Sequence, residues 1–249
     1  LSGLSYKPKF VAQILVGVLL IYGGVGIENL GGLFGLYHIP SSVGWVLTVL
    51  VTVLLVNAYN LIDGIDGLCS GLSILALFTF GVWFLTHHIY VYAMMSMAMG
   101  GVVTIFFFYN VMGHRMKIFM GDTGSMFIGY MLAAISIFGA VKSAATIALL
   151  VPAVALGLPI MDTAFAIVRR YTNGRPIFQP DKGHLHHRLL AMGLSQRQAV
   201  LLMYVISAVL GIAAILLTEV DGYLAAGIIA CIISGVALGA KKIGILNDR

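Results

Sequence analysis

The sequence predicts an all-α protein, a polytopic bundle of helices that crosses a membrane many times. Hydrophobic residues make up 60% of the 249-residue chain, charged residues make up 9%, and the mean hydropathy is +1.03. An ordinary soluble domain carries roughly 25% charged residues. A soluble core of this length could not bury so much apolar surface, so lipid must be the solvent for most of the chain.

A helix needs roughly 20 apolar residues to cross a bilayer. Eight segments of the chain are apolar enough to be such membrane spans. They lie near residues 10–26, 43–59, 68–86, 91–110, 124–139, 142–168, 199–218 and 222–240. The fifth segment is short and the sixth is long, with Pro152 and Pro159 expected to kink it near its end. We therefore expect about eight transmembrane helices in a single domain over residues 1–249.

The basic residues orient this bundle. With eight spans, thirteen of the fourteen Lys and Arg residues fall on one side, and only Lys142 falls on the other. Basic residues concentrate on the cytoplasmic side of membrane proteins. We expect a multi-pass protein of the inner (plasma) membrane, with a long cytoplasmic loop over residues 169–198. The lipid bilayer is an expected partner and nucleic acid is not.

The stretch "NAYNLIDGIDGL" places acids between two apolar segments. Its polar residues recur at every third position: Asn57, Asn60, Asp63 and Asp66. Each step of three falls about 60° short of a full helical turn, so the four cannot share one helix face. Gly64 and Gly67 allow the backbone to leave the helix after Asp63 and to fold Asp66 back toward it. The alternative is that Asp66 only caps the next helix.

The stretch "FMGDTGS" places Asp122 at the start of another apolar helix, between two glycines. Asp122 could be an ordinary N-cap. It could also be a carboxylate at a helix N-terminus, where phosphate is attracted and where magnesium accompanying that phosphate could be held. A third stretch, "PDKGHLHHRL", puts three histidines beside basic residues. Because magnesium prefers oxygen ligands, these imidazoles suit anionic phosphates better than they suit that metal.

Four stretches together carry a family resemblance: "NLIDGIDGL", "KIFMGDTGSMFIGY", "PIMDTAFAIVRR" and "PDKGHLHHRLLAMGLSQRQA". They resemble the polyprenyl-phosphate N-acetylhexosamine-1-phosphate transferases, which begin lipid-linked glycans of the cell envelope. The "HLHHRL" form is more similar to the N-acetylglucosamine branch than to the muramoyl-pentapeptide branch, which has adjacent histidines. The family carries two adjacent aspartates before a segment similar to "LSGLSYKPKFVAQ", so we expect that pair to precede Leu1.

The resemblance implies roles for twelve residues. Asp122 would ligate Mg²⁺ (or Mn²⁺) on the nucleotide diphosphate, and Asp63 and Asp66 would complete the acidic centre. His184 would hold the donor and is grouped with these catalytic residues. The expected substrate-binding residues include Lys9 at the lipid phosphate and Phe119 stacked on uracil. Asn57, Asn60 and Asn110 would hydrogen-bond the donor or neighbouring carboxylates, and Arg170, His186 and His187 would lie around the donor.

The implied reaction moves N-acetylhexosamine 1-phosphate, most simply N-acetylglucosamine 1-phosphate, from a UDP-sugar to polyprenyl (undecaprenyl) phosphate and releases UMP. Direct attack by the lipid phosphate and a covalent aspartyl intermediate are both compatible with the sequence, and so is a homodimer. The alternatives are muramoyl-pentapeptide transfer, a CDP-alcohol phosphotransferase and a membrane ion transporter. A transporter should carry its acids near mid-membrane or on both faces, whereas these gather on one edge. The segment after the aspartate turn lacks the further Gly-separated aspartates of the CDP-alcohol family.

Overall fold

A computed structural model describes residues 6–33, 36–112, 116–142, 150–174, 176, 183–220 and 222–244. Over these residues the chain forms ten helices and one two-stranded hairpin. In chain order they are α1 Tyr6–Tyr22, β1 Asn29–Leu33, β2 Leu36–His38, α2 Ser41–Ile62, α3 Leu68–Thr86, α4 Tyr90–Met112, α5 Gly121–Lys142, α6 Leu150–Ala155, α7 Gly157–Thr172, α8 Leu185–Ala191, α9 Gln196–Glu219 and α10 Gly222–Ile243. Most of the described chain is therefore helical.

The structure confirms a helical protein with multiple membrane-spanning segments, but not the count of eight spans. Six of the described helices are long and apolar enough to cross a membrane: α2, α3, α4, α5, α9 and α10. The predicted span 10–26 corresponds to α1, which has 17 residues. The predicted span 142–168 is divided between the short helices α6 and α7, while its residues 143–149 lie outside the described part.

The break between α6 and α7 follows from Pro159. Proline has no N–H, so the carbonyl of Ala155, four residues earlier, cannot receive its usual helical hydrogen bond. Helix α6 ends at that residue, and α7 begins two residues later at Gly157. The proline itself lies in the first turn of α7, where a missing donor is tolerated. The predicted kink is therefore a full interruption of the helix.

The bundle is organised around α2 and α3. Helix α2 packs against α1, α5 and α7, and α3 packs against α4 and α9. Large aromatic side chains fill the centre, among them the fully buried Tyr59, Phe80, Trp83 and Phe84. Helix α10 is covered least by the rest of the protein. This arrangement sets the C-terminal end of α2 against the N-terminal ends of α3 and α5.

Within the described ranges, the hairpin is the one departure from the predicted all-α class. Strands β1 and β2 pair antiparallel and connect α1 to α2. Next to this hairpin, the backbone amide of Ile27 donates to the Thr48 hydroxyl at 3.0 Å, and that hydroxyl donates to the carbonyl of Gly44. A hairpin this short could not be recognised in an otherwise apolar chain, since its residues follow no strict alternation of apolar and polar side chains.

Candidate active site

The aspartate turn between α2 and α3 occupies residues 63–67. Helix α2 ends at Ile62, and Gly67 adopts a left-handed conformation, with φ of +80°, before α3 begins. Neighbouring helices hold this turn: the Gly67 amide donates to Asn110 Oδ1 at 2.7 Å, and the Tyr204 hydroxyl donates to the Gly67 carbonyl at 2.5 Å. The helix end and glycine turn predicted from the spacing are confirmed. The residue at the N-terminal cap of α3 is Gly67, so Asp66 does not cap that helix.

Asp122 lies in the first turn of α5 and is bound by side chains from two other helices. Its Oδ2 accepts from Lys9 Nζ in an ion pair, and its Oδ1 accepts from Asn60 Nδ2 at 3.1 Å. Asn60 also donates to the Ser125 hydroxyl at 2.9 Å. Both carboxylate oxygens therefore face α1 and α2 instead of capping amides of α5. Lys9 was expected at the lipid phosphate, but its ammonium group is bound to Asp122, the expected metal ligand.

The three expected carboxylates influence one another. Partial burial, together with the negative charges of Asp122 and Asp66, raises the pKa of Asp63 from 3.8 to about 6. Asp66 in turn forms an ion pair with Lys117. Like charges this close disfavour ionisation of the most buried member. The end of the bundle where α2, α3 and α5 meet is therefore a region where a bound cation would be stabilised.

We predict that Asp63→Asn stabilises the protein against unfolding above pH 6. A carboxyl group whose pKa is raised in the folded state adds stability only at low pH, and that contribution is lost as the pH rises through about 6. After allowance for solvent screening, the gain from the amide should be about 1 kcal/mol at pH 8, or roughly 2–4 °C. Thermal unfolding in detergent with a chelator, at pH 5 and pH 8, measures it. Equal differences between variant and wild type at both pH values would contradict the prediction.

A cavity of about 290 Å³ opens beside the aspartate turn. Asp63, Asp66, Asn110 and Phe119 all contribute to its lining. The Phe119 ring is exposed, and Lys117 Nζ stands 5.2 Å from its centroid. An exposed aromatic ring next to a cation and two carboxylates can stack on a base while the phosphates lie toward the acids.

Two of the expected substrate-binding asparagines bond chiefly to the protein. Asn57 Nδ2 donates to Gln13 Oε1 at 2.6 Å and to the Val53 carbonyl at 2.8 Å. Asn110 Nδ2 donates to the Ile118 carbonyl at 2.9 Å, in addition to its bond with Gly67. Asn57 therefore joins α2 to α1, and Asn110 joins α4 to the aspartate turn and to the segment before α5. Sequence analysis also missed Gln13 and Tyr204, whose only signal is a polar group within an apolar span.

The histidine segment, residues 183–188, packs against the aspartate turn. A Cβ atom at Gly64 would lie 3.0 Å from His186 Nε2. His186 is fully buried, its ring centroid lies 4.1 Å from that of His187, and its plane is nearly parallel to the His184 ring. Burial lowers the pKa of His186 to about 4, helped by the charges of His187 and His184 and opposed by that of Asp162. His186 is therefore neutral at pH 7.

Two arginines at the C-terminal end of α7 complete this region. Arg169 and Arg170 are both buried. A Cβ atom at Gly183 would lie 2.3 Å from the Arg169 guanidinium, so α7 and the histidine segment are in close contact. The structure thus gathers the expected site residues at one end of the bundle, on α1, α2, α4, α5, α7 and α8, in the aspartate turn, and in the segment before α5. Lys182, between the arginines and the histidines in sequence, lies outside the described residues.

Comparison with known proteins agrees with this geometry. Residues 1–140 match the model of glycosyl transferase family 4, which is more than half of the chain. The chain belongs to this family. The resemblance drawn from the four sequence stretches is confirmed.

Curated relatives of this family 4 protein are named as phosphotransferases of polyprenyl phosphates. It is 39% identical to a probable undecaprenyl-phosphate N-acetylglucosaminyl 1-phosphate transferase of Bacillus subtilis, over 99% of this chain and 68% of the relative. It is 41% identical to a decaprenyl-phosphate N-acetylglucosaminephosphotransferase of Mycobacterium tuberculosis, over 81% and 55%. It is 30% identical to an undecaprenyl-phosphate alpha-N-acetylglucosaminyl 1-phosphate transferase of Escherichia coli, over 83% and 58%. The chain thus spans from little more than half to about two thirds of these relatives.

The donor atoms of this family 4 site fit magnesium in part. Asp63, Asp66 and Asp122 offer hard carboxylate oxygens, and burial together with the negative charges of the other two raises the pKa of Asp63. Among the described residues, however, no three acidic, histidine or cysteine side chains are close enough to hold a metal by themselves. Magnesium is commonly bound by one or two carboxylates together with substrate phosphates. The residues therefore fit an ion that arrives with a diphosphate better than a permanently bound one.

Proposed function

We propose that the protein transfers N-acetylglucosamine 1-phosphate from UDP-N-acetylglucosamine to undecaprenyl phosphate and releases UMP. The observation that carries this proposal is the placement of Asp122, with Lys9 and Asn60 bound to it, beside Asp63 at one end of a membrane bundle. The curated relatives are named for this type of transfer. A lipid acceptor explains why the site lies at the end of apolar helices, since its tail stays in lipid while its phosphate reaches the acids.

In this reaction an oxygen of the lipid phosphate forms a bond to the sugar-bearing phosphorus of the donor. The bond from that phosphorus to the bridging oxygen breaks, and UMP leaves with the electron pair. The sugar keeps its own bond to phosphate. There is little covalent chemistry for the protein to do, so it contributes positioning and charge stabilisation.

The residues divide this work by charge. Asp122, with Asp63, would hold Mg²⁺ or Mn²⁺, which would neutralise charge on the diphosphate. Lys9 now neutralises Asp122, and a metal on that carboxylate would leave the ammonium group for the phosphate of the lipid acceptor. Phe119 and Lys117 would take the base and the adjoining phosphate in the cavity. Arg170 and the histidines would bind the donor's diphosphate or sugar from the other side of the aspartate turn.

The remaining alternatives have less support. A transporter would need its acids along a path through the bundle, yet Asp63, Asp66 and Asp122 lie at the ends of α2 and α5. Muramoyl-pentapeptide transfer would use a donor with a bulky peptide, and the relatives reported above are all named for N-acetylglucosamine. The test measures UMP release by full-length protein in detergent with undecaprenyl phosphate. It compares UDP-N-acetylglucosamine with the muramoyl-pentapeptide donor. Preference for the peptide-bearing donor would overturn the proposal.

We further propose that the protein lies in the inner membrane with this site on the cytoplasmic side. In a Cys231→Ala background, single cysteines replacing the exposed Met116 and Met192 should resist a membrane-impermeant maleimide in intact cells and react in inverted vesicles. A cysteine replacing the exposed Tyr90, at the opposite end of α4 from Met112, is the matched control and should react in intact cells. Labelling of the first two positions from outside would contradict the orientation.

A further inference from the structure

Asp162 is a buried acid to which the proposed reaction gives no role. It lies on α7 and is 4% exposed. Its Oδ1 accepts from the Leu185 amide at 2.7 Å, and its Oδ2 lies 3.0 Å from His184 Nδ1. These contacts join α7 to the histidine segment across more than twenty residues of sequence. One carboxylate thus sets both the backbone and the ring at the start of α8.

A structural role alone accounts poorly for a charged group here. Leu185 is the first residue of α8, so Asp162 could serve only to satisfy that helix's first amide. A neutral serine or asparagine could also accept that hydrogen bond. Burying a carboxylate is costly unless it is paired, and the pairing here is with His184. The contact with His184 therefore explains why residue 162 is an acid.

The contact also determines which nitrogen of His184 carries a proton. An ionised carboxylate only accepts hydrogen bonds, so Nδ1 must be the donor. Nε2 is then the nitrogen left for another partner. It is buried and has no hydrogen-bond partner among the described residues. A buried polar atom without a partner is unfavourable unless a ligand supplies one.

We propose that Asp162 is a positioning residue that keeps the His184 proton on Nδ1 and directs Nε2 toward the nucleotide-sugar donor. The buried Arg169 and Arg170, on the same helix, make this side of the site suited to the anionic diphosphate. The inference rests on the proposed transfer reaction, because it identifies how one residue of that site is held. Carboxylates that orient a functional histidine act in the same way elsewhere.

Asp162→Asn separates this role from helix capping. The asparagine Oδ1 can still accept from Leu185, but its amide group would donate where Oδ2 accepted. His184 would then have to accept at Nδ1 and carry its proton on Nε2. We expect kcat/KM for UDP-N-acetylglucosamine to fall on the order of 10- to 100-fold, with a melting temperature close to that of wild type. Asp162→Ala, which removes both acceptors, should lower the melting temperature as well.

A double-mutant cycle with His184→Ala tests whether Asp162 acts through the ring. Once the ring is removed, adding Asp162→Asn should change kcat/KM by no more than about 3-fold, since the effects of coupled residues do not multiply. The same loss in both backgrounds, or near-normal kcat/KM in Asp162→Asn, would overturn the proposal and leave Asp162 as a cap of α8.

The wild-type control separates this inference from the proposed function. If wild-type protein releases no UMP, the transfer reaction is refuted. The four proteins of the double-mutant cycle (wild type, Asp162→Asn, His184→Ala and the double variant) can then be compared for UDP-N-acetylglucosamine affinity by isothermal titration calorimetry. The inference still requires weaker binding in Asp162→Asn and no further effect of that change in the His184→Ala background.

Discussion

Asp122→Asn is expected to reduce transfer by at least about 10³-fold, or about 4 kcal/mol in the activation free energy, while the protein still inserts and folds. Asparagine keeps the size of the side chain and can still accept the hydrogen bond from Asn60. It removes the negative charge that the donor's metal would need. Lys9 would also lose its ion-pair partner, but a pair that is partly exposed contributes little stability.

The measurement is UMP release over a magnesium titration, with the melting temperature as a check on folding. Glu219→Gln is the matched control, because it neutralises an exposed acid at the far end of α9 and should leave the rate unchanged. Near-wild-type turnover of Asp122→Asn at millimolar magnesium would mean that Asp122 serves only as the partner of Lys9 and Asn60.

Gly129→Ala is expected to destabilise the fold. Gly129 lies on α5, and a Cβ atom there would be 2.7 Å from Val56 Cα and 2.8 Å from the Leu55 carbonyl oxygen. Both atoms belong to the backbone of α2, which cannot turn aside as a side chain can. The two helices would have to separate, at a cost of about 1–3 kcal/mol or more. Small residues permit such close approach between membrane helices.

This separation should also reduce activity, because α5 carries Asp122 and Ser125 while α2 carries Asn60. We expect a lower melting temperature together with a lower transfer rate. Gly101→Ala is the control, because it lies within α4 and alanine favours a helix. Beyond the adjoining backbone of α4, the described part of the chain has no atom within 4 Å of its added Cβ. A Gly129→Ala protein as stable as the Gly101→Ala protein would show that α2 and α5 do not pack at this distance.

Much of the site could be predicted because its signals are local. A carboxylate beside glycines at the end of an apolar run is unusual wherever it occurs, since charged groups are costly within a membrane. Asp63, Asp66 and Asp122 were recognised on this basis, and the structure places them near one another at one end of the bundle. The histidines were recognised because they cluster beside basic residues, and Phe119 was recognised from the family resemblance.

The partners of these residues could not be predicted in the same way. Lys9 and Asp122 are 113 positions apart, and their ion pair depends on how α1 and α5 each pack against α2. Asn110 was expected near the substrate, yet it supports the aspartate turn. That role depends on where the end of α4 meets Gly67. Spacing along one helix predicts a face but does not identify the helix that covers it.

The sequence by itself determined the membrane class, the family, and the residue types at the centre of the site. Each of these follows from composition or from short runs whose chemistry does not depend on the rest of the chain. Only the tertiary structure decided the hairpin, the bonds of Lys9 to Asp122 and of Tyr204 to Gly67, and the contact of Asp162 with His184. These contacts arise from the packing of helices distant in sequence. In an almost uniformly apolar chain many pairings bury similar surface, so the rare polar contacts and the close approach at Gly129 distinguish this arrangement from the others.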